Sequence, residues 1–234
     1  MYWHKMPSET TVGVLPKLTW SSDDELSPAS STIALMLYVV LHFMAQDELE
    51  EGPEGISLSA RIATASYEDL MLATGGKSRS LISQGLRRLE QLKLLARLGS
   101  HQKRRYRLTC SQPGWFKLPC QAIMRAGVIS PFENFTLRSR HELHALKVYL
   151  YLAARRDNNQ GFSLASYENI SEKTGVPKRH MHKALVMLTA CGLLADINRE
   201  RDTKGEGASY GPNRYYLTGH HQLFQSATGT SVTA

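Results

Sequence analysis

The sequence has no run approaching the roughly 18 consecutive apolar residues that a membrane-spanning helix needs, so no membrane partner is expected. Cysteine is scarce, with three in 234 residues: Cys110, Cys120 and Cys191. They show no CxxC or other metal-ligand spacing, and an odd number does not make a disulfide framework. Reduced thiols in a cytoplasmic protein are the expectation. The opening MYWHKMPSET lacks the apolar core of a secretion signal, which points the same way. No Ser/His/Asp set or carboxylate pair converges in the sequence, so an enzyme is not expected. KGEGASYG, from Lys204 to Gly211, carries glycines but lacks the GK[ST] ending and the strand-and-helix setting of a phosphate-binding loop. His141-x-x-His144 and His180-x-His182 are not completed by a Cys or a carboxylate. They read as surface histidines, and no metal or other cofactor is expected.

What is present is ordinary in amount and informative in order. Hydrophobic residues make up 42% and charged residues 21% of the chain, normal for a globular protein, and the formal net charge is +7. That excess favours acidic partners such as nucleic acid, and says nothing about fold. The organising feature is a repeat. SYEDLMLATGGKSRSLISQGLRRLEQLKLL, from Ser66 to Leu95, returns as SYENISEKTGVPKRHMHKALVMLTACGLL, from Ser166 to Leu194. Allowing one residue fewer in the second turn, Met181, Leu185 and Leu188 fall where Ile82, Leu86 and Leu89 stood. The strands that follow also agree, Arg105-Tyr106-Arg107-Leu108-Thr109 against Arg214-Tyr215-Tyr216-Leu217-Thr218.

Each copy reads as a short helix, a glycine turn and a longer helix. Ser66 and Ser78 suit N-caps, and Glu68 and Asp69 complement the dipole of the helix they begin. Thr74-Gly75-Gly76 ends that helix, because glycine tolerates the left-handed backbone of a tight turn. Tyr67 and Tyr167 read as packing anchors. In the longer helix Ile82, Leu86 and Leu89 share one face, and Arg79, Ser80, Ser83, Gln84 and Arg87 mainly the other. Gly85 interrupts it at a cost of about 1 kcal/mol against alanine, either softening the helix or permitting close approach to a backbone. Ala96–Leu98 and Tyr106–Leu108 form a hairpin around the basic tip SHQKRR.

The flanks complete the plan. Residues 1–29 are expected to be an irregular arm that docks locally. Ser30 or Ser31 caps TIALMLYVVLHFMAQDE, a helix apolar on all sides, which suits burial between other helices or a homodimer interface over residues 31–47. Gly52, Pro53 and Gly55 place a loop over residues 49–59. Residues 113–138 form a connector with a strand at Trp115–Leu118 and a helix at Gln121–Ala126. ALKVYLYLAARRD then repeats the apolar helix, Tyr149 echoing Tyr38. The Ser/Thr/Gly-rich residues 220–234 are expected to be disordered.

A capped helix ending in Thr-Gly, a second helix that begins basic, a Leu-Leu exit and a basic hairpin closing on Arg-Tyr-x-Leu-Thr: this resembles the winged helix-turn-helix family. Two copies in tandem are similar to regulators of plasmids, phages and mobile elements, and to plasmid replication initiators. The resemblance implies a mainly α fold with small β-hairpin wings, α+β in class. It also implies two winged-helix domains, at residues 30–112 and 139–219. The partner it implies is double-stranded DNA, with the longer helix of each copy in the major groove. Arg79, Ser80, Ser83, Gln84 and Arg87 would face it in the first copy, and Lys178, Arg179, His182 and Lys183 in the second. Lys103, Arg104 and Arg105 in one wing and Arg199, Arg201 and Lys204 in the other would meet phosphates or the minor groove. The function so implied is sequence-specific binding by a transcriptional regulator. The alternatives are a replication initiator on direct repeats, or a protein-binding adaptor that uses the same scaffold.

Overall fold

The computed structural model describes residues 1–22, 26–51, 57–99, 104–109, 114–157, 159–198 and 212–225. Helices and small antiparallel sheets make it an α+β arrangement. No helix among the described residues is long and apolar enough to cross a membrane.

The first residues are not an irregular arm. They form strand β1 (Trp3–Pro7), helix α1 (Ser8–Val14) and a 3-10 turn at Leu15–Lys17. Met6, Val14, Leu15 and Leu18 are buried, so this segment gains its order from the core that it helps to cover.

Helix α2 (Ser30–Met44) follows, and every residue from Ser30 to Phe43 is buried within the chain. Its apolar surface on all sides is therefore used against its own neighbours, while Gln46 and Asp47 beyond it are exposed. Ala29, not a serine, stands at the N-cap; Ser30 lies in the first turn, where its Oγ accepts from Arg88 at 3.4 and 3.3 Å. The helix ends at Met44, because Ala45 is already extended.

Of the residues 49–59 expected as a loop, 49–51 and 57–59 are strand, and 52–56, with Gly52, Pro53 and Gly55, lie outside the described residues. Strand β2 (Gln46–Glu51) pairs antiparallel with β3 (Ser57–Ala65), from Gln46 opposite Ile62 to Glu51 opposite Ser57. Next come α3 (Tyr67–Ala73), α4 (Arg79–Gln91), β4 (Leu95–Leu98) and β5 (Arg104–Leu108). The sheet runs β2-β3-β5-β4, with Leu95 opposite Leu108.

Strand β6 (Trp115–Pro119) then pairs with β1, Trp3 opposite Pro119. The helix expected at Gln121–Ala126 does not form. Ala126 (φ 48) and Gly127 (φ 82) instead turn a hairpin between β7 (Met124–Arg125) and β8 (Val128–Ile129). Two consecutive positive φ angles suit a tight hairpin turn and are incompatible with a helix.

The second copy repeats the path of the first: α5 (Arg140–Arg155), β9 (Ser163–Ala165), α6 (Tyr167–Thr174), α7 (Lys178–Ala190), β10 (Leu194–Asn198) and β11 (Asn213–Leu217). Its sheet is ordered β10-β11-β9, matching β4-β5-β3. Residues 220–225, expected to be disordered, hold a 3-10 turn at His220–Phe224. The Trp3 indole N–H donates to the Gln225 carbonyl at 2.8 Å, and Lys117 Nζ to that of Leu223 at 2.8 Å. The rest of the tail lies outside the described residues.

The two copies share one continuous core that also takes in side chains from the N-terminal segment and the connector. The bracing is crossed. At Gly175 (φ 69), the turn between α6 and α7, an added Cβ would lie 3.3 Å from the backbone of Pro16. At Gly75 (φ 75), the same turn of the first copy, it would lie 2.9 Å from the backbone of Glu133 in the connector. Each glycine supplies both the left-handed conformation and the room for a segment from outside its own copy.

Candidate nucleic-acid interface

In the first copy the local chemistry follows the sequence closely. Ser66 Oγ accepts from the Asp69 N–H at 3.1 Å, and Asp69 Oδ2 accepts from the Ser66 N–H at 2.8 Å, a reciprocal capping box. Ser78 Oγ accepts from the Leu81 N–H at 3.4 Å and begins α4. Ile82, Gly85, Leu86 and Leu89 are buried; Arg79, Ser80, Ser83 and Arg87 are exposed.

The tyrosine after the cap joins helix to hairpin. Arg79 lies over the Tyr67 ring at 4.8 Å and Arg104, on β5, at 5.0 Å. The electron-rich face of the ring attracts both guanidinium groups, so one buried aromatic holds a helix cation and a hairpin cation together. Arg79 also meets Glu68 at 3.6 Å, an exposed pair of small energetic consequence. Arg105 is paired with Glu48 of β2, so any phosphate must compete for it.

Gln84 departs from the expected role. Its Oε1 accepts from Ser27 N at 3.1 Å and from Ser27 Oγ at 2.6 Å, and its Nε2 donates to Ser80 Oγ at 3.5 Å. Both ends of the amide are engaged within the chain, whereas adenine recognition needs both free. Gln84 is half-buried and ties α4 to the N-terminal segment.

Gly85 is resolved in favour of close approach. A Cβ there would lie 2.7 Å from Leu37 Cδ1, 3.0 Å from Ile33 Cγ2 and 3.2 Å from the backbone N of Ala34. Glycine lets α4 seat directly on α2.

The second copy presents more free charge. Ser166 Oγ accepts from the Asn169 N–H at 3.2 Å, and Gly175 ends α6 in the left-handed conformation. Lys147, buried on α5, donates to the Thr174 carbonyl at 2.8 Å, placing a cation at the C-terminal end of α6. Burial pushes its pKa down to about 8. On α7, Met181, Ala184, Leu185 and Leu188 are buried while Lys178, Arg179, His182 and Lys183 are exposed. Lys178 meets Glu168 at 2.7 Å; among the described residues Arg179 and Lys183 have no ion-pair partner.

Three histidines that the sequence separates come together beside this helix. The rings of His141 and His144 on α5 are 6.0 Å apart, and each lies 5.3 Å from that of His180 on α7. His144 is buried, contrary to the surface reading. Burial, then Lys147 and the neighbouring rings, push its pKa down to about 4. Burial first and then Lys183 lower His141, and burial and then Arg179 lower His180. The nearby cations would also oppose a metal ion. Among the described residues no three His, Cys, Asp or Glu side chains are placed to hold one.

Lys103, Arg199, Arg201 and Lys204 lie outside the described residues. Cys120 and Cys191 are free and buried, burial pushing each thiol up to about 11. No protein-family model, curated protein or solved structure matches the chain.

Proposed function

We propose that the chain is a sequence-specific double-stranded DNA-binding protein made of two tandem winged-helix units, acting as a transcriptional regulator. The observation that carries this reading is the start of α7. Four basic or imidazole side chains (Lys178, Arg179, His182 and Lys183) stand exposed there, on a helix whose opposite face is anchored in the core. The first residues of such a helix are the ones that reach base edges in a major groove. An arginine there can form two hydrogen bonds to guanine, worth about 1–3 kcal/mol of discrimination. Arg79 and Arg104, gathered on Tyr67, would hold phosphates beside the first copy's helix. One chain carries both readers, so α2 need not supply a dimer contact.

Selection of bound duplexes from a random library, followed by affinity against salt, tests this. The expected result is an enriched site and an affinity that falls steeply with salt as counterions are released. Arg179→Ala should relax base preference more than it weakens nonspecific binding. An inverted repeat fits a regulator; direct repeats fit a replication initiator. No enrichment, with weak binding indifferent to salt, would refute DNA reading and leave a protein-binding scaffold.

A further inference from the structure

The exposed face of α7 changes character along its length. Its first two turns carry Lys178, Arg179, His182 and Lys183, but the next outward residue is Val186, 53% exposed. Thr189 and Ala190 follow it outward. With Tyr167, His182, Leu185 and Ile197 of β10, these three residues line an open cleft of about 400 Å³. In the first copy Arg87 and Gln91 occupy the places of Val186 and Ala190, and both are exposed.

Lys178, Arg179 and Lys183 do not line the cleft but precede it on the same exposed face of α7. A partner that covers this whole face meets cations at its start and a branched aliphatic side chain after them, so it must offer both anionic and apolar groups. The DNA major groove meets both demands, because the thymine 5-methyl group projects into it between two rows of phosphates. Resting on the DNA-binding reading of α7, we infer that Val186 reads thymine through its methyl group. Seven residues separate Val186 from Arg179, about 10.5 Å along the helix at 1.5 Å per residue. The spacing of bases along a strand is about 3.4 Å, so the thymine stands about three steps from the base that Arg179 addresses.

The test uses the full chain and the duplex enriched from the random library. Each thymine is replaced singly by deoxyuridine, which removes the methyl group and nothing else. At one position affinity should fall on the order of four-fold, the worth of one buried methyl group. In Val186→Ala the two duplexes should bind within two-fold of each other, while salt-dependent binding persists. Installing 5-methylcytosine in place of a cytosine at that position, in a duplex carrying a C·G pair there, should recover part of the affinity. If uridine is tolerated at every position, or is penalised equally in Val186→Ala, the inference is overturned while DNA reading stands. If no duplex is enriched, DNA reading falls and the inference with it.

Discussion

Gly85→Ala sets two known effects against each other. In an exposed helix the change stabilises by about 1 kcal/mol, because alanine loses less backbone freedom on folding. At position 85 the new methyl group would arrive 2.7 Å from Leu37 Cδ1, 3.0 Å from Ile33 Cγ2 and 3.2 Å from Ala34 N. The Leu37 methyl could rotate away only into a core where its own side chain is fully buried, and Ala34 N belongs to the backbone of a buried helix. Overpacking of this kind costs about 1–3 kcal/mol. The cost equals or exceeds the propensity gain, and the net expectation is a loss of about 0–2 kcal/mol. At this chain length each kcal/mol moves the melting temperature by about 2–4 °C.

The control is Gly13→Ala in α1, an exposed helical glycine where an added Cβ meets nothing within 4 Å. There only propensity acts, and a gain of about 0.5–1 kcal/mol is expected. Urea unfolding of both variants beside the parent chain measures the pair. If Gly85→Ala stabilises as Gly13→Ala does, α4 does not seat on α2 as described, and the reason given for a glycine inside that helix is wrong.

Stability should fall as pH drops below about 6.5. His42, fully buried with burial and Arg61 pushing its pKa down to about 3, stays neutral in the fold while the unfolded chain takes up a proton. His4 and His144, each lowered to about 4, act in the same direction. The unfolded state binds more protons between these values and 6.5, so His42 alone contributes up to about 1.4 kcal/mol per pH unit. Chemical denaturation from pH 7 to 4 should show this slope, with His42→Leu flatter; equal slopes would discount His42. For the interface, Tyr67→Phe keeps the ring face under Arg79 and Arg104 and should bind DNA within two-fold of the parent. Tyr67→Leu should bind several-fold more weakly, since each cation–ring contact is worth about 0.5–1 kcal/mol. Equal affinities for the two variants, read by fluorescence anisotropy, would show that the stacked arginines do not matter to binding.

What the sequence made legible was local or periodic. Ser66, Ser78 and Ser166 cap helices because a side-chain oxygen and its backbone partner sit three residues apart, a relation visible without any tertiary knowledge. Ile82, Leu86 and Leu89 are buried as their spacing requires. β2 and β3 were hidden because QDELEE and SLSARIATA carry no alternation of large apolar residues; β3 is ordered by pairing with β5, and β2 by pairing with β3. The N-terminal segment was missed for a related reason. Its apolar residues are few and irregularly spaced, and their partners lie about a hundred residues away in β6 and α5. The contacts of Gln84 within the chain were not legible because helical position alone suggested exposure, and Ser27, which engages it, is remote in sequence. The His141, His144 and His180 cluster joins two helices, so no spacing within either could announce it.

The same frame carries different chemistry in its two copies, and the differences fall at matching positions. Gly85 stands where the second copy has Ala184, which is buried with its methyl group accommodated. Gln84, bonded to Ser27, stands where Lys183 is exposed. Arg87 stands where Val186 is exposed. In the first copy the outward helix is drawn against α2 and tied to the N-terminal segment. In the second it is held through its buried face, and among the described residues Arg179 and Lys183 in its first two turns have no ion-pair partner. On the proposed reading the two copies therefore divide the work. Arg79, Ser80, Ser83 and Arg87 serve chiefly to position the chain on the duplex, and α7 carries most of the base discrimination. The shared core and the crossed bracing at Gly75 and Gly175 let one copy fix the register in which the other reads. A loss of specificity from α7 variants, with affinity retained through α4, is the pattern that such a division requires.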